Sequence, residues 1–199
     1  MEINLENKTP DIRHLNDMKE VLYDKEWAKT ASNYELYYMY RGLKEENDLR
    51  YDITVIPARM LGKEFVKTKG HYHHQERGEL YIVLEGEGIF LLQKQEGEKI
   101  VDTYYIKGKK GDFIPIPPQY GHITINPSKK DLKMANWVSK KCESDYSEIG
   151  QKKGGCYYYL ESGWTKNKNY KEVPNLYSKE PNKNKPNLEF LTLKNHEEK

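Results

Sequence analysis

From Tyr34 onwards the chain divides into about ten short runs rich in Tyr, Ile, Val and Phe, each closed by Gly, Pro or a charged cluster. The runs at 35–41, 51–57, 63–68, 79–84, 87–93, 100–106, 113–116, 122–125, 132–138 and 156–160 read as strands. That many short strands with few helices predict an all-β fold that closes into a barrel or packs as a sandwich. The segment Leu84-Glu85-Gly86-Glu87-Gly88-Ile89 joins two of the runs through a glycine-bearing hairpin turn. Seventeen tyrosines suit such a fold, because the ring packs at a half-buried strand position while the hydroxyl reaches a polar partner. Before the strands, Leu15, Met18, Leu22 and Trp27 lie at roughly helical spacing and predict a short N-terminal helix within 14–31. After Lys166 the composition turns to Asn, Lys, Glu and Pro. The organisation expected is one domain over residues 1–165, including the N-terminal extension, and a polar, partly ordered surface segment over 166–199.

Between the runs at 63–68 and 79–84, His71 and His73 flank Tyr72. Residues two apart on an extended strand share a face, so both imidazoles can address one ion. Glu79 opens an otherwise apolar run, with Tyr81 and Val83 on its own face. His122 follows Pro115-Ile116-Pro117-Pro118-Gln119-Tyr120-Gly121, a stretch that forces a turn, and starts a strand with Thr124 and Asn126 on its face. Three imidazoles and a carboxylate form a borderline-to-hard donor set suited to Fe, Mn, Ni, Co or Zn, with room for water or substrate oxygens. His74 breaks the alternation and points away, and His14 and His196 sit in polar segments, so no function is placed on them.

The balance of 33 Lys and Arg against 31 Asp and Glu gives a net charge of +2, too weak a field for a nucleic-acid binder. Cys142 and Cys156 are the only cysteines, which suits a reducing compartment, although one bridge is compatible with the count. The first residues lack the charged head and apolar stretch of an export signal, and no run is apolar enough to span a membrane. A cytoplasmic protein with no membrane partner is expected.

The order of these residues resembles the two cupin motifs, Gly70 to Gly88 and Gly111 through His122 to Asn126. Within cupins the chain is most similar to the archaeal-type glucose-6-phosphate isomerases, through Thr54-Val55-Ile56-Pro57, Gly62-Lys63-Glu64, Lys67-Thr68-Lys69-Gly70-His71-Tyr72-His73, Glu79-Leu80-Tyr81 and Tyr120-Gly121-His122-Ile123-Thr124-Ile125-Asn126. The resemblance covers residues 34 to 160 and implies a double-stranded β-helix, a jelly-roll-like barrel. It further implies a metal-dependent isomerase of glycolysis and gluconeogenesis that interconverts glucose 6-phosphate and fructose 6-phosphate, as a homodimer. One divalent transition metal per chain, Fe, Mn, Ni or Zn, would be held by His71, His73, Glu79 and His122. The residues matching the family's phosphate anchors are Tyr37, Thr54, Thr68, Gly70 and Tyr81.

The residue chemistry is compatible with this. Hydroxyls and a backbone amide can cradle a phosphate, and Gly70, with no side chain, allows close approach. Aldose–ketose isomerisation moves a hydrogen between adjacent carbons, and Glu79 is the carboxylate in reach, with His122 beside it in the catalytic set. Two features depart from the family. The step from His73 to Glu79 is one residue shorter, and Ser144 stands before Asp145-Tyr146 where some members carry a histidine. The competing expectations are another metal cupin, acting on a different sugar phosphate or as a dioxygenase, and a non-catalytic sugar-phosphate-binding cupin.

Overall fold

The computed structural model describes residues 3–74 and 77–191; His196 and part of the connection from His73 to Glu79 lie outside them. In chain order the strands are β1 (Asp11–His14), β2 (Glu35–Glu46), β3 (Leu49–Ile56), β4 (Met60–Leu61), β5 (Glu64–Phe65), β6 (Tyr72–His73), β7 (Glu79–Glu85) and β8 (Glu87–Glu96). They continue as β9 (Lys99–Lys109), β10 (Phe113–Ile116), β11 (Tyr120–Ile125), β12 (Leu132–Ser139), β13 (Ser144–Asp145), β14 (Tyr157–Leu160), β15 (Gly163–Lys166) and β16 (Tyr177–Lys179). One sheet runs β1-β2-β3-β12-β7-β10 and the other β11-β8-β9-β16. A smaller sheet, β15-β14-β5-β4, and the pair β13-β6 complete the architecture, which is the all-β, jelly-roll-like arrangement the resemblance implies.

Strand alternation decides which side chains enter the barrel. On β7, Tyr81 and Val83 join the large core with Phe90, Leu92, Ile114, Ile123, Ile125 and Met134. The preceding Leu80 and the intervening Ile82 point to the opposite face, where Leu80 packs with Trp137, Leu49 and Leu191. Each such side chain taken out of water contributes about 1.5–3 kcal/mol. The turn from β7 to β8 needs Gly86: its φ is +74°, and a Cβ there would stand 2.4 Å from the Asp131 carbonyl oxygen.

Most expected strands are present, with altered ends. β2 runs on past residue 41 through an irregularity between Tyr40 and Lys44, where Gly42 donates its N–H to Asp52. The run expected at 63–68 pairs as a regular strand only at Glu64–Phe65; beyond it, Thr68 and His71 hydrogen-bond to the backbone of β11. β1, β4, β6, β13, β15 and β16 were not among the expected strands; all are short, and their apolar content is too small to show a period.

The short N-terminal helix expected within 14–31 is α1 (Lys25–Thr30), and the residues before it form two 3-10 turns, Leu15–Asp17 and Lys19–Val21. The physical reason is the spacing of the buried residues. Leu15, Met18 and Val21 are all fully buried at steps of three, which is the 3-10 period, and Leu22 then turns extended. α1 begins where the Asp24 carboxylate accepts the N–H of Trp27 at 3.1 Å.

The segment after Lys166 crosses the barrel surface but is anchored by buried apolar side chains. Tyr170 enters the main core, β16 pairs parallel to β9, and Leu191 closes over Leu80 and Trp137.

Candidate metal centre and substrate cavity

Three chain segments build the site. The stretch 67–73 lies against β11, with His71 and His122 forming a mutual backbone bridge at 3.0 and 3.3 Å. β6 carries His73 in register with Ser144 of β13. β7 carries Glu79 opposite Val138 of β12. The donor atoms of His71, His73, Glu79 and His122 all lie within 4.8 Å of one another. Ligands sharing one ion through bonds of about 2.1 Å stand roughly 3 Å apart when adjacent and about 4.2 Å when opposite, so the set needs only slight contraction.

The donors are oriented for a cation rather than for each other. The His73 Nδ1 lies 2.9 Å from the Arg77 carbonyl oxygen, which accepts its proton, so that the neutral ring, as ligation requires, would turn an Nε2 lone pair towards the cluster. Glu79 Oε2 is 3.0 Å from His122 Nε2 and 3.5 Å from His73 Nε2. Although buried, that oxygen has no well-directed hydrogen bond. A buried carboxylate oxygen without a directed donor, facing imidazole nitrogens, has the geometry of a metal ligand. The residues therefore fit a divalent transition metal.

Protonation is split within the cluster. Burial and the neighbouring His122 drive His71 well below the usual imidazole range. Burial acts in the same sense on His73, but contacts with Cys142 and Glu79 outweigh it and push the group up to about 10. Burial would raise Glu79, but its His122 and His73 neighbours hold it well below the usual carboxylate range, so it stays ionised. Burial keeps the Tyr81 phenol protonated, and its hydroxyl lies 3.2 Å from His122 Nε2.

A cavity opens beside these ligands. Tyr37, Thr54, Thr68, Gly70 and Tyr81 line it together with His71, His73 and Glu79, while His122 is buried. Thr68 Oγ1 accepts the N–H of Thr124 at 3.0 Å, and the Tyr37 hydroxyl accepts the N–H of Lys69 at 3.2 Å. Gly70 has φ +80°, and a Cβ there would stand 2.4 Å from Ile123 Cγ1. Ser144 lines the cavity, whereas His74 is exposed and lies 3.8 Å from Asp145.

The wall also carries residues that sequence reasoning did not single out: Arg41, Arg50, Asp52, Lys69, Asn136 and Tyr146. Lys69 was legible inside the Lys67-Thr68-Lys69 string. It reaches the wall, where its ammonium lies 2.5 Å from Glu20, whereas Lys67 is buried against Glu64. Arg50 and Asp52 pair at 3.0 Å across one strand face. Charged residues in a strand are ordinarily read as solvent-facing, so nothing local marked them.

The glucose-6-phosphate isomerase family matches residues 12–175. The chain belongs to this family. The glucose-6-phosphate isomerase of Thermococcus litoralis is 35% identical over 155 residues, 74% of this chain and 79% of the relative. That of Pyrococcus horikoshii is 34% identical over 148 residues, 71% and 76% of the two chains. Among solved structures, one described as a predicted oxalate decarboxylase from Thermotoga maritima is 18% identical, covers 69% of this chain and 96% of its own, and superposes with a TM-score of 0.42. By the family match the chain is a cupin-type glucose-6-phosphate isomerase, an aldose–ketose isomerase.

Proposed function

We propose that this cavity interconverts glucose 6-phosphate and fructose 6-phosphate with a divalent transition metal held by His71, His73, Glu79 and His122. The observation that carries the reading is the convergence of four donor atoms within 4.8 Å beside a cavity lined by hydroxyls, a glycine amide and cations. When bound, the metal would polarise the oxygens on the two carbons between which the hydrogen moves. The side chains of Thr54, Thr68, Tyr37 and Tyr81 and the amide of Gly70 would hold the phosphate, with Lys69 supplying charge. Glu79 would accept the proton from one carbon and return it to the next. Its depressed pKa keeps it available as the carboxylate at some cost in basicity. His122, 3.0 Å from that carboxylate, would orient it.

Among the described residues no helix is long and apolar enough to cross a membrane, and both cysteines are free and buried. We read the enzyme as a cytoplasmic homodimer on the strength of its family and these features. The test is a coupled assay of fructose 6-phosphate conversion on protein reconstituted separately with Fe, Mn, Ni and Zn. Turnover that requires one of these ions supports the reading. Metal-loaded protein that converts no fructose 6-phosphate overturns it.

A further inference from the structure

Among the described residues three asparagines are buried, and two of them are saturated. Asn126 donates to the carbonyls of Ile56 and Lys130, and its own carbonyl accepts from Ser128. Asn167 donates to the carbonyls of Lys152 and Gly155 and accepts from the N–H of Asn169. Asn136 is only 5% exposed, lines the cavity, and has no hydrogen-bond partner for its side-chain amide among the described residues. Buried polar groups are nearly always paired, and an unpaired one facing a cavity points to a ligand that completes it.

Its register says which part of a ligand it meets. Along β12, Met134 is opposite Thr54, Asn136 is opposite both Asp52 and Tyr81, and Val138 is opposite Glu79. Each step of two residues advances about 6.7 Å along a strand. Asn136 thus lies at the level of Tyr81, one step from Thr54 on the phosphate side and one step from Glu79 at the metal end; the Tyr81 hydroxyl at this level reaches within 3.2 Å of His122, so the level spans the two ends of the site. Asp52 cannot serve equally well, because its two oxygens already accept from the Gly42 N–H at 2.7 Å and Arg50 Nε at 3.0 Å. Of the three polar side chains at this level, the amide alone offers both uncommitted donors and acceptors.

We propose that Asn136 determines sugar specificity by hydrogen-bonding the hydroxyls in the middle of the substrate, on the carbons between the reacting pair and the phosphate-bearing end. This deepens the reading of the preceding section and rests on it. A hydroxyl presented in the wrong configuration would leave the amide unpaired, so the epimers at C3 and C4 of fructose 6-phosphate would be rejected.

The test compares kcat/KM for fructose 6-phosphate and for its C3 and C4 epimers in the metal-loaded wild type, Asn136→Leu and Asn136→Ala. The first variant keeps the branched outline with two bulkier methyls, the second leaves space, and neither can hydrogen-bond. Expected is a loss of about 10- to 100-fold for fructose 6-phosphate, a smaller loss for the epimers, and hence a narrowed preference. Metal content and competition by inorganic phosphate should be unchanged. The proposal is overturned if all three sugars lose rate equally, or if the preference stays within about threefold of the wild type. It is overturned as well if both variants lose metal and fold, since the amide would then be structural. A metal-loaded wild type inert towards fructose 6-phosphate would instead overturn the reading of the site itself, and the specificity assignment with it.

Discussion

The Lys67 ammonium lies 2.6 Å from the Glu64 carboxylate, with both side chains almost completely removed from solvent. The pair is fully committed. Lys67 also donates to the Val21 carbonyl at 2.9 Å, and Glu64 accepts the Tyr23 N–H at 2.6 Å. These contacts fasten the N-terminal segment to the barrel. Removing one partner leaves a buried charge uncompensated, so Lys67→Met should cost about 3–5 kcal/mol of stability. The double variant Lys67→Met with Glu64→Leu should recover part of that loss in chemical denaturation. Equal stability of Lys67→Met and wild type would remove the pair from the fold's support.

Metal content separates the ligands from the wall. His71→Ala and His122→Ala should each lower the divalent metal bound per chain well below the roughly one expected of wild type, whereas Arg41→Ala should retain it. Elemental analysis after dialysis reads this directly.

Glu79→Gln keeps the shape of the side chain and loses its charge and basicity. Turnover should fall by about 100-fold or more, with the melting temperature changed by only a few degrees when metal is supplied in excess. Near-normal turnover would take Glu79 out of the proton transfer.

Thr68→Val deletes a hydroxyl that lines the cavity and accepts the Thr124 N–H. The Michaelis constant for fructose 6-phosphate should rise and competition by inorganic phosphate should weaken in parallel, with metal content unchanged. A rise in one without the other would separate Thr68 from the phosphate.

The metal-free protein should respond to pH through His73, whose folded-state pKa is raised to about 10. A raised histidine contributes stability that is fully present below its unfolded pKa, near 6.5, and is lost as pH climbs through the folded value. The melting temperature of the metal-free chain should therefore decline between about pH 6.5 and 10, and His73→Gln should flatten that decline. Because ligation requires the neutral imidazole, metal affinity should rise over the same interval. A flat profile in the unsubstituted protein would contradict the assignment.

The four residues that could hold a metal were legible because each carries a local signature: a same-face histidine pair, a carboxylate opening an apolar strand, and a histidine after a proline-rich turn. Lys67, embedded in the most distinctive string of the chain, serves the fold rather than the cavity, and local alternation could not separate it from Lys69. Asn136 also left a trace, as a polar residue on the same face as Met134 and Val138. The trace is ambiguous by itself, since Asn126 and Asn167 are buried too and serve only to bond loop backbone.

What the sequence alone determined is the set of local periods: strands of alternating polarity, the turns between them, and the donor types available to a metal. Those follow from covalent geometry and side-chain chemistry within a few residues. What only the tertiary structure decided is which strands become neighbours. Pairing β12 with both β3 and β7 puts Asn136 between Asp52 and Tyr81, and the bridge between His71 and His122 brings together ligands 51 positions apart. Such pairings minimise the exposed apolar area of the whole barrel, a quantity that no window of the chain contains.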